Sequence, residues 1–486
     1  THAHYDHIGA IPYLMHRIGN PPIYTTALTK GLVERRQGEF LNTPKLDIRV
    51  VKGGESVKLG NWFEAEFFDV SHNVPDTIGA ILKTPIGNMV NFADFKVDYD
   101  AEGNPTNLEM VRSVAAKGVH ALFLDSTGAE TIGKSVSERI VEKNLEELIR
   151  KAPGRVIVGA FASVISRIAE IIRIAEEADR RVIFSGRSMK ENIEIARNLK
   201  YVKIKKGTVV PIENIRAYDD KKILILATGA QGEPNAALMR VANGEHKFIQ
   251  VKPGDTIILS ASVIPGNERS VQTLKDNLAR QGARIYHSRI VDIHSSGHAP
   301  QEDLKMIMGL VKPRFLIPVH GYYFMRSVNA QNAVDVGIPR ENIFLPDNGQ
   351  VLLIEKDRAT ITKETVPASY VLVDGLGIGD VGEVVLRDRL LLSQEGMIVI
   401  IATIDKQNGR MLRNPDIISR GFIYLKENHQ VVEEIRGRIK NIVARIPRAE
   451  NLDSDYLKSL IRDQIGQFVY TKTNRRPMIL PVVIEV

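Results

Sequence analysis

The chain has 486 residues, which is too long for one ordinary domain and suggests about three. Hydrophobic content of 43% and charged content of 25% are typical of a soluble globular protein, and no apolar run approaches the roughly 20 residues that span a bilayer. The net charge of +7 favours a polyanionic partner such as nucleic acid, while the lack of cysteine excludes disulfides and thiolate metal ligands and fits a cytoplasmic location.

The first seven residues, THAHYDH, bring three imidazoles and a carboxylate together. In an extended segment His2 and His4 point to the same side, and Asp6 and His7 follow on the next turn of chain. This spacing can supply one metal ion from the first pair and a second ion from the other pair, and such ligands suit zinc or a similar divalent ion. The alternative is a solvated His-rich terminus or a tag remnant, which the apolar, helix-like residues 8–19 argue against.

The segment that follows predicts helices and then a β-rich layer. Short apolar runs alternate with Gly and Asp turns, as strands do in a layered sheet. The predicted helices cover 11–19 and 28–40, and the predicted strands lie near 21–25 and within 46–97.

Three polar residues stand at the ends of predicted strands. His72 follows FFDVS, Asp94 follows MVNFA, and Asp125 ends ALFLD. A histidine at a strand end is usually only a surface residue. Because the opening motif lies upstream and Asp94 downstream, His72 is a candidate metal ligand.

A different pattern begins near Gly133, where Ser135 or Ser137 can cap a helix. From 155 to 289 near-continuous Ile/Val strands alternate with helices, which predicts a doubly wound parallel sheet inserted after Asp125. The glycine turns FSGRSM and ATGAQGEP look like phosphate loops. They lack the GxGxxG spacing, however, and we interpret them as ordinary turns between strands and helices.

Beyond residue 290 histidines again end predicted elements. His298 lies in IHSSGHAP before a helix over 301–311, and His320 ends the strand RFLIPVHG, so both predict a return to the first domain. From about Val366 a smaller α+β unit follows. Its predicted elements are strands VLVDG, EVVL, GMIVIIATI and GFIYL, helices 431–445 and 453–470, and a terminal apolar strand.

Taken in order, nine residues make one pattern: His2, His4, Asp6, His7, His72, Asp94, Asp125, His298 and His320. With the stretches FADFKVD, LFLDSTGAE, FASVISR and HSSGHAPQEDL, this set resembles the β-CASP branch of the metallo-β-lactamase superfamily and, within it, the ribonuclease J family. The resemblance spans essentially the whole chain. The HxHxDH motif is shared with other hydrolases, but the inserted doubly wound domain and the GHA and PVHG stretches are not.

The resemblance implies an α/β fold: a metallo-β-lactamase αββα sandwich with an inserted doubly wound parallel-sheet β-CASP domain and a small α+β C-terminal domain. The implied boundaries are 1–133 for the first part of the metallo-β-lactamase domain, 134–288 for the β-CASP domain, 289–365 for the return segment and 366–486 for the C-terminal domain. In that family strands precede the opening motif, and the first residue here is not Met. We therefore expect an N-terminally truncated chain that lacks the opening strands.

The resemblance also implies a centre of two divalent metal ions, most simply zinc. The implied ligands are His2, His4 and His72 for one ion, Asp6, His7 and His320 for the other, and Asp94 as the bridge. Asp125 would orient a ligand histidine, and His298 would donate a proton to the leaving oxygen or stabilise it; with Asp94 these are the implied catalytic residues. Such a pair of cations suits phosphoryl displacement.

In the same family two loops bind a nucleotide phosphate. The matching residues are His294, Ser295, Ser296, Gly297 and His298 in one loop and Ser163, Val164 and Ile165 in the other. Hydroxyls, a flexible glycine and N–H groups at a helix start can grip a phosphate. A phosphate pocket beside the metals would explain processive trimming from a 5′ end. The alternative is that HSSGH is merely a turn.

The chain departs from the family pattern at two places. Ala3 and Tyr5 stand where the opening motif commonly has Gly and Glu, and NFADF stands where His-Thr-Gly-Asp-Phe is commoner. None of the replaced positions is a ligand in the family. Metal binding should therefore survive, while the hydrogen bonds around the ligands should differ.

We expect a metal-dependent ribonuclease in RNA maturation and decay, a 5′-to-3′ exonuclease on 5′-monophosphorylated single-stranded RNA with additional endonuclease activity. The preference for RNA rests on the resemblance alone. A β-CASP nuclease acting on DNA and a catalytically silent RNA-binding scaffold subunit remain alternatives. A small-substrate hydrolase is less favoured, because the inserted domain would leave a channel suited to a thin strand. The resemblance further implies a homodimer or homotetramer and no membrane partner.

Overall fold

The structure is a computed structural model, and the residues that it describes are 1–40, 43–100, 102–264, 266–374, 377–379, 381–422, 429–445 and 454–486. They form two compact units, Thr1–Ala368 and Ser369–Val486. The finer predicted boundaries, after residues 133, 288 and 365, stay predictions.

The elements of the first unit alternate much as the sequence predicts. Its helices are α1 (Tyr5–Ile8), α2 (Ile11–Leu14), α3 (Ala27–Gln37), α4 (Leu108–Ala116), α5 (Glu138–Lys151), α6 (Ile165–Glu177), α7 (Arg187–Asn198), α8 (Ala237–Ala242), α9 (Glu268–Arg280), α10 (Gln301–Val311) and α11 (Tyr323–Asp335). Its strands are β1 (Ile23–Thr25), β2 (Ile48–Val50), β3 (Ser56–Leu59), β4 (Phe63–Asp69), β5 (Ile78–Thr84), β6 (Gly87–Asn91), β7 (Ala121–Asp125), β8 (Val156–Gly159), β9 (Arg181–Ser185), β10 (Ile223–Ala227), β11 (Thr256–Leu259), β12 (Arg284–His287), β13 (Phe315–Val319), β14 (Gln350–Ile354) and β15 (Ala359–Thr365). The helix predicted over 11–19 ends early, at Leu14, and continues as turns.

A six-stranded mixed sheet has the order β13-β7-β6-β5-β4-β3. Alternate side chains of a strand point to opposite faces. In β4, Phe68 joins a core with α4, α10 and α11, whereas Ala65 and Phe67 pack on the other face beside β1 and β2. Near β13 this second face packs against the β14–β15 hairpin. Helices, the six-stranded sheet and the two-stranded sheets β1–β2 and β14–β15 therefore form successive layers, three of the four layers of the predicted αββα sandwich.

A five-stranded, all-parallel sheet has the order β12-β11-β8-β10-β9. Val156 and Val158 of β8 face a core shared with α5, α6 and α7, and Ile157 faces α8 and α9. Helices cover both faces, and for that reason the strands read as continuous Ile/Val runs. The predicted doubly wound sheet is confirmed.

Four strands of the six-stranded sheet end at the same edge. Strands β6, β7 and β13 are parallel, and β4 runs with them because β5 is antiparallel to both β4 and β6. The chain reaches His72 after β4 and Asp94 after β6; β7 ends at Asp125, and His320 follows β13. The topology thus gathers side chains that are far apart in sequence.

The second unit is a small α+β structure. Its elements are β16 (Val373–Asp374), β17 (Gly377–Ile378), α12 (Glu383–Glu395), β18 (Met397–Ile404), β19 (Asp416–Arg420), α13 (His429–Arg445), α14 (Ser454–Thr473) and β20 (Met478–Glu485). The sheet has the order β19-β18-β20, and α13 and α14 cover one face of it.

The strand predicted at EVVL is wrong, because residues 383–386 begin helix α12. The β-branched pair Val384 and Val385 favours a strand locally, but Leu, Arg, Gln and Glu dominate the rest of the 13-residue helix. Gly396, with a φ of +74°, ends it. The strand predicted at GFIYL falls largely on residues outside those described, and Asp453, at the start of another predicted helix, is also outside them.

Within the described ranges, no helix combines the length and the apolar character needed to cross a bilayer. The predicted fold class is confirmed: an α/β protein with a mixed sheet, a separate parallel sheet and a small α+β unit.

A candidate dinuclear metal centre

The N-terminal segment lies at the edge where the four strands end. The carbonyl of Thr1 accepts a hydrogen bond from the N–H of Ile78, at the start of β5 (3.2 Å). His4 precedes α1, and that short helix presents Asp6 and His7. The opening motif therefore combines two residues from an extended segment with two from a helical turn.

The first cluster contains three histidines. Nδ1 of His4 lies 3.1 Å from Nε2 of His2 and 3.1 Å from Nε2 of His72. His2 is fully buried and His72 nearly so. Three imidazole nitrogens that converge this closely cannot all be satisfied by one another's protons, and a shared cation is their natural partner.

The second cluster contains Asp6, His7 and His320. Oδ2 of Asp6 lies 3.5 Å from Nε2 of His7 and 3.3 Å from Nε2 of His320. Asp94 lies between the clusters, with its Oδ2 3.0 Å from Nε2 of His7 and 3.6 Å from Nε2 of His2. The ligand atoms thus form two overlapping groups that share Asp94, and a third group of Asp94, Asp125, His298 and His320 overlaps them.

These spacings fit divalent metal ions. Two donors bound tetrahedrally at the Zn–N distance of about 2.0–2.1 Å stand about 3.3 Å apart. Six of the distances between neighbouring donors, 3.0–3.6 Å, bracket that value. Imidazole and carboxylate donors also suit zinc or a similar ion.

A hydrogen bond to the loop backbone orients the ring of His72. Nδ1 of His72 donates to the carbonyl of Gly297 (2.8 Å), which leaves the lone pair of Nε2 available to bind a metal ion. A Cβ atom at Gly297 would lie 2.5 Å from Cε1 of His72 and 3.0 Å from Nδ2 of Asn73. The glycine is therefore required by the close approach of the loop backbone to this ligand.

Asp125 connects two further histidines. Its Oδ2 accepts a hydrogen bond from Nδ1 of His298 (2.7 Å), and its Oδ1 lies 3.3 Å from Nδ1 of His320. The hydroxyl of Thr127 accepts from Nδ1 of His320 (2.7 Å) and donates to Oδ1 of Asp125 (2.8 Å). This arrangement holds Nε2 of His320 towards Asp6.

The pKa shifts follow from this geometry. Burial lowers the pKa of His4 to about 4 and that of His72 to about 3, so both rings are neutral and able to bind metal. The hydrogen bonds that His320 donates to the carboxylates of Asp125 and Asp6 raise its pKa to about 10. Burial lowers the pKa of His298, but the hydrogen bond to Asp125 and the negative charges of Asp125 and Asp94 together outweigh burial and leave that pKa above its ordinary value.

Two departures from regular backbone adjoin the ligands. His320 has a φ of +59° and Ala93, just before Asp94, has a φ of +56°. Residues other than glycine rarely adopt this left-handed conformation, and at functional sites the surrounding structure enforces it. The N–H of Ala93 donates to Oδ1 of Asn91 (2.7 Å), so two of the residues that depart from the family pattern stabilise this turn together.

The loop residues predicted to bind phosphate differ in how exposed their side chains are. Ser296 is exposed, and its hydroxyl accepts from the N–H of His298 (3.1 Å). Ser295 is buried, and its hydroxyl donates to the carbonyl of Val136 (2.8 Å). Burial lowers the pKa of His294 to about 4. Of these side chains, Ser296 and His298 are therefore the best placed to meet a ligand.

The second predicted loop is mostly buried. The side chains of Val164 and Ile165 lie in the core, and their N–H groups donate to the carbonyls of Phe161 (3.3 Å) and Ser163 (2.9 Å), respectively. The half-buried side chain of Ser163 is the part of this stretch that remains open to a ligand.

Sequence reasoning missed a buried charged network beside the centre. The ammonium of Lys96 and the guanidinium of Arg167 both pair with Glu138. Lys96 also lies 3.4 Å from the hydroxyl of Ser295, and Arg167 donates to the carbonyl of Ile293 (3.4 Å). The network ties the loop to α5 and α6. Thr127 was missed too, although Lys96 and Thr127 lie in the stretches FADFKVD and LFLDSTGAE that carry the resemblance.

The fold and the centre define the chain's class: a metallo-hydrolase of the β-CASP type, with clusters of candidate metal ligands at the strand ends of a mixed sheet and a doubly wound parallel sheet in the same unit. The family models described as "Ribonuclease J, beta-CASP domain", "Zn-dependent metallo-hydrolase RNA specificity domain" and "Ribonuclease J C-terminal domain" match residues 153–278, 282–346 and 384–486, respectively.

Whole-chain comparisons agree. Ribonuclease J2 of Bacillus subtilis is 35% identical over all of this chain and 87% of its own length, and Ribonuclease J 1 of Streptococcus pyogenes is 36% identical over all of this chain and 86% of its own length. The chain belongs to the ribonuclease J family. A solved protein of unknown function from Enterococcus faecalis shares the fold, with a TM-score of 0.50 and 17% identity over 70% of this chain and 76% of that chain. Family membership supports the predicted metal-dependent ribonuclease and favours neither the DNA nuclease nor the silent scaffold.

Proposed function

We propose that the chain is a two-metal ribonuclease that hydrolyses single-stranded RNA from a 5′-monophosphorylated end, in the 5′-to-3′ direction, with additional endonuclease activity. A cytoplasmic location goes with this proposal. The observation that carries it is the pair of ligand clusters that share Asp94. The names of the curated relatives, which are ribonucleases, supply the substrate class.

Zinc is the proposed metal, because the donors are imidazoles and carboxylates at tetrahedral spacing. The proposed ligands are His2, His4 and His72 for one ion, Asp6, His7 and His320 for the other, and Asp94 for both. Bound there, divalent cations supply Lewis acidity for the attack of water and for the charge that develops on the phosphate.

The remaining residues position groups and move protons. His298 donates a proton to the leaving oxygen, a role supported by its raised pKa and by its ring, which stacks on His320 at 5.7 Å. Asp125 holds His298 through Nδ1, so that Nε2 faces the reaction, and with Thr127 it orients His320. Asp125 is thus a positioning residue rather than a third ligand, since Thr127 already donates to it from its N–H (2.9 Å) and its hydroxyl.

The 5′-phosphate is assigned to the loop that contains Ser296 and His298, together with the half-buried Ser163. Hydroxyls and backbone N–H groups bind phosphate oxygens well. Ser295 keeps a structural part in this proposal, because its hydroxyl holds the loop to Val136. A pocket this close to His72 would place the first phosphodiester bond at the metals.

The test is time-resolved degradation of one RNA sequence labelled at its 5′ end, carrying either a monophosphate or a triphosphate, with and without a chelator. We expect mononucleotides to appear first from the monophosphorylated RNA and the chelator to stop their release. A matched DNA oligonucleotide should be degraded more slowly. Faster DNA degradation, or full activity in chelator, would overturn the proposal.

Variants separate the roles. His320→Ala and Asp94→Ala should abolish cleavage, and Ser296→Ala should mainly reduce the preference for a monophosphate. His16→Ala is the matched control, because His16 is exposed and lies outside the motif. An unchanged monophosphate preference in Ser296→Ala would refute the pocket assignment.

We also propose a homodimer or homotetramer formed through the second unit. The face of its sheet opposite α13 and α14 carries exposed apolar side chains at Ile418, Leu480, Val482 and Ile484. Exposed apolar patches of this kind mark protein interfaces. Val482→Lys should lower the molar mass measured by light scattering, whereas Glu433→Lys, on the exposed surface of α13, should not.

A further inference from the structure

Three aromatic side chains directly after the His320–Gly321 turn are exposed. Tyr322, Tyr323 and Phe324 expose 72%, 55% and 66% of their surfaces, respectively. Contiguous exposed aromatic surface on a folded protein commonly marks a binding site. Since consecutive Cα atoms lie 3.8 Å apart, the Cα of Tyr322 lies within about 7.6 Å of that of His320.

The helix that carries these rings is fixed to the metal centre. Nδ2 of Asn329 donates to the main-chain carbonyl of Asp125 (3.1 Å), which pins α11 against the end of β7. At the start of the helix, a Cβ atom on Gly321 would lie 3.5 Å from Cα of Thr127 and 3.0 Å from Sδ of Met325. The backbones are therefore in close contact, and the aromatic rings are displayed at a set distance from the metal ligands.

The rings lie next to a cationic side chain. The first turn of α11 contains no acidic residue. The guanidinium of Arg326 lies 5.3 Å from the ring centre of Tyr323, donates to the carbonyl of Pro346 (2.7 Å) and lies 3.6 Å from Oδ1 of Asp347. Aromatic rings beside positive charge are the means by which proteins stack the bases of single-stranded nucleic acid. Because Tyr323 already packs on Arg326, Tyr322 and Phe324 are the rings with free faces.

The position of α11 sets which part of the RNA it meets. The loop assigned to the 5′-phosphate contacts His72 of the first cluster through Gly297 and His320 of the second cluster through His298, so a strand that starts there meets both clusters. A strand that starts at the loop and crosses both clusters continues past His320 towards α11. We infer that Tyr322 and Phe324 stack on nucleobases of the RNA strand 3′ to the scissile phosphodiester. The inference rests on the proposed function.

The test compares two 5′-monophosphorylated RNAs that differ only in the bases of nucleotides two to four, present in one and abasic in the other. For the ordinary RNA, Tyr322→Ala/Phe324→Ala should raise KM about tenfold or more, as expected for lost base stacking. Its KM for the abasic RNA should stay within about twofold of that of the unmodified protein, because no bases are left to stack. Tyr322→Phe/Phe324→Tyr, which keeps both rings, should restore the ordinary KM.

The matched control is Trp62→Ala. Trp62 is 74% exposed and lies in the turn between β3 and β4. The sheet order places β4 four strands from β13, about 19 Å at 4.8 Å per strand. This variant should leave KM unchanged for both RNAs.

Three outcomes would overturn the inference. An equal rise of KM for the ordinary and abasic RNAs, or no rise for either, excludes base stacking. A change in molar mass of the double variant assigns the rings to an interface between copies instead. If the unmodified protein with its metals cleaves neither RNA, the proposed function fails and this inference fails with it. The KM results and the molar-mass result named above leave the proposed function intact.

Discussion

Replacing Gly297 with alanine should remove the first metal ion without unfolding the protein. The loop backbone at this position runs against a ligand ring, with the Gly297 carbonyl 2.8 Å from Nδ1 of His72. The added Cβ would lie 2.5 Å from Cε1 of the same ring. Ordinary carbon–carbon contacts need about 3.5–4.0 Å, so the ring or the loop must move by about 1 Å or more.

A shift of that size matters because metal–ligand distances tolerate only about 0.2 Å. His72 would leave the reach of an ion held by His2 and His4, and it would lose the hydrogen bond that sets its tautomer. Loss of such an outer hydrogen bond alone typically costs about 10–100-fold in metal affinity. We therefore expect the first ion to bind at least that much more weakly, while the ion held by Asp6, His7 and His320 remains.

The assay is elemental analysis of dialysed protein, followed by competition titration against a chelator of known affinity. Gly309→Ala is the matched control, since nothing lies within 4 Å of the position where its Cβ would be. Far-ultraviolet circular dichroism checks that both variants are folded. Two ions bound at unaltered affinity in Gly297→Ala would refute the close-approach argument.

Three further predictions concern stability. Ala93→Gly should raise the free energy of unfolding, measured in urea, by up to about 1 kcal/mol. The left-handed φ of +56° costs alanine about 1–2 kcal/mol, and about half of the gain from removing this cost is lost because the unfolded chain with glycine has more conformational entropy. A destabilised variant would contradict this reasoning. Asp255→Ala should lower the free energy of unfolding by about 3–5 kcal/mol, since it leaves Arg155 buried without the carboxylate that it contacts at 2.6 Å. The control is Glu147→Ala, which breaks an exposed ion pair and should barely change the urea midpoint. The metal-free protein should lose stability as the pH rises from about 6.5 to about 10. The pKa of His320 in the folded protein lies above its ordinary value of 6.5, so protonated His320 contributes fully to the free energy of unfolding below pH 6.5 and no longer contributes above about pH 10. His320→Gln should lack this part of the pH dependence, and an identical pH profile of its melting temperature would count against the contacts of His320 with the carboxylates.

The candidate ligand set could be proposed from sequence because metal chemistry restricts residue type. Few side chains bind divalent cations, and His, Asp and the HxHxDH spacing are distinctive even without a structure. The alternation of apolar runs likewise predicted both sheets, since a strand buried on both faces differs visibly from one buried on a single face. At EVVL the same method failed, because two β-branched residues outweighed the helical composition that follows them.

Contacts between residues distant in sequence could only come from the tertiary structure. Asp125 lies beside His320 because β7 pairs with β13 in register, and no local pattern reports that pairing or the contact of Asp125 with His298. Thr127 and the Lys96–Glu138 pair were missed for the same reason. The burial of Ser295 and the exposure of Ser296, neighbours in one loop, depend on what packs against each. Sequence alone thus determined which residue types could bind metal and roughly where strands and helices lie, since both follow from side-chain chemistry and local periodicity. The packing of distant segments decided which of those side chains converge, which residues orient them and which loop side chains are exposed.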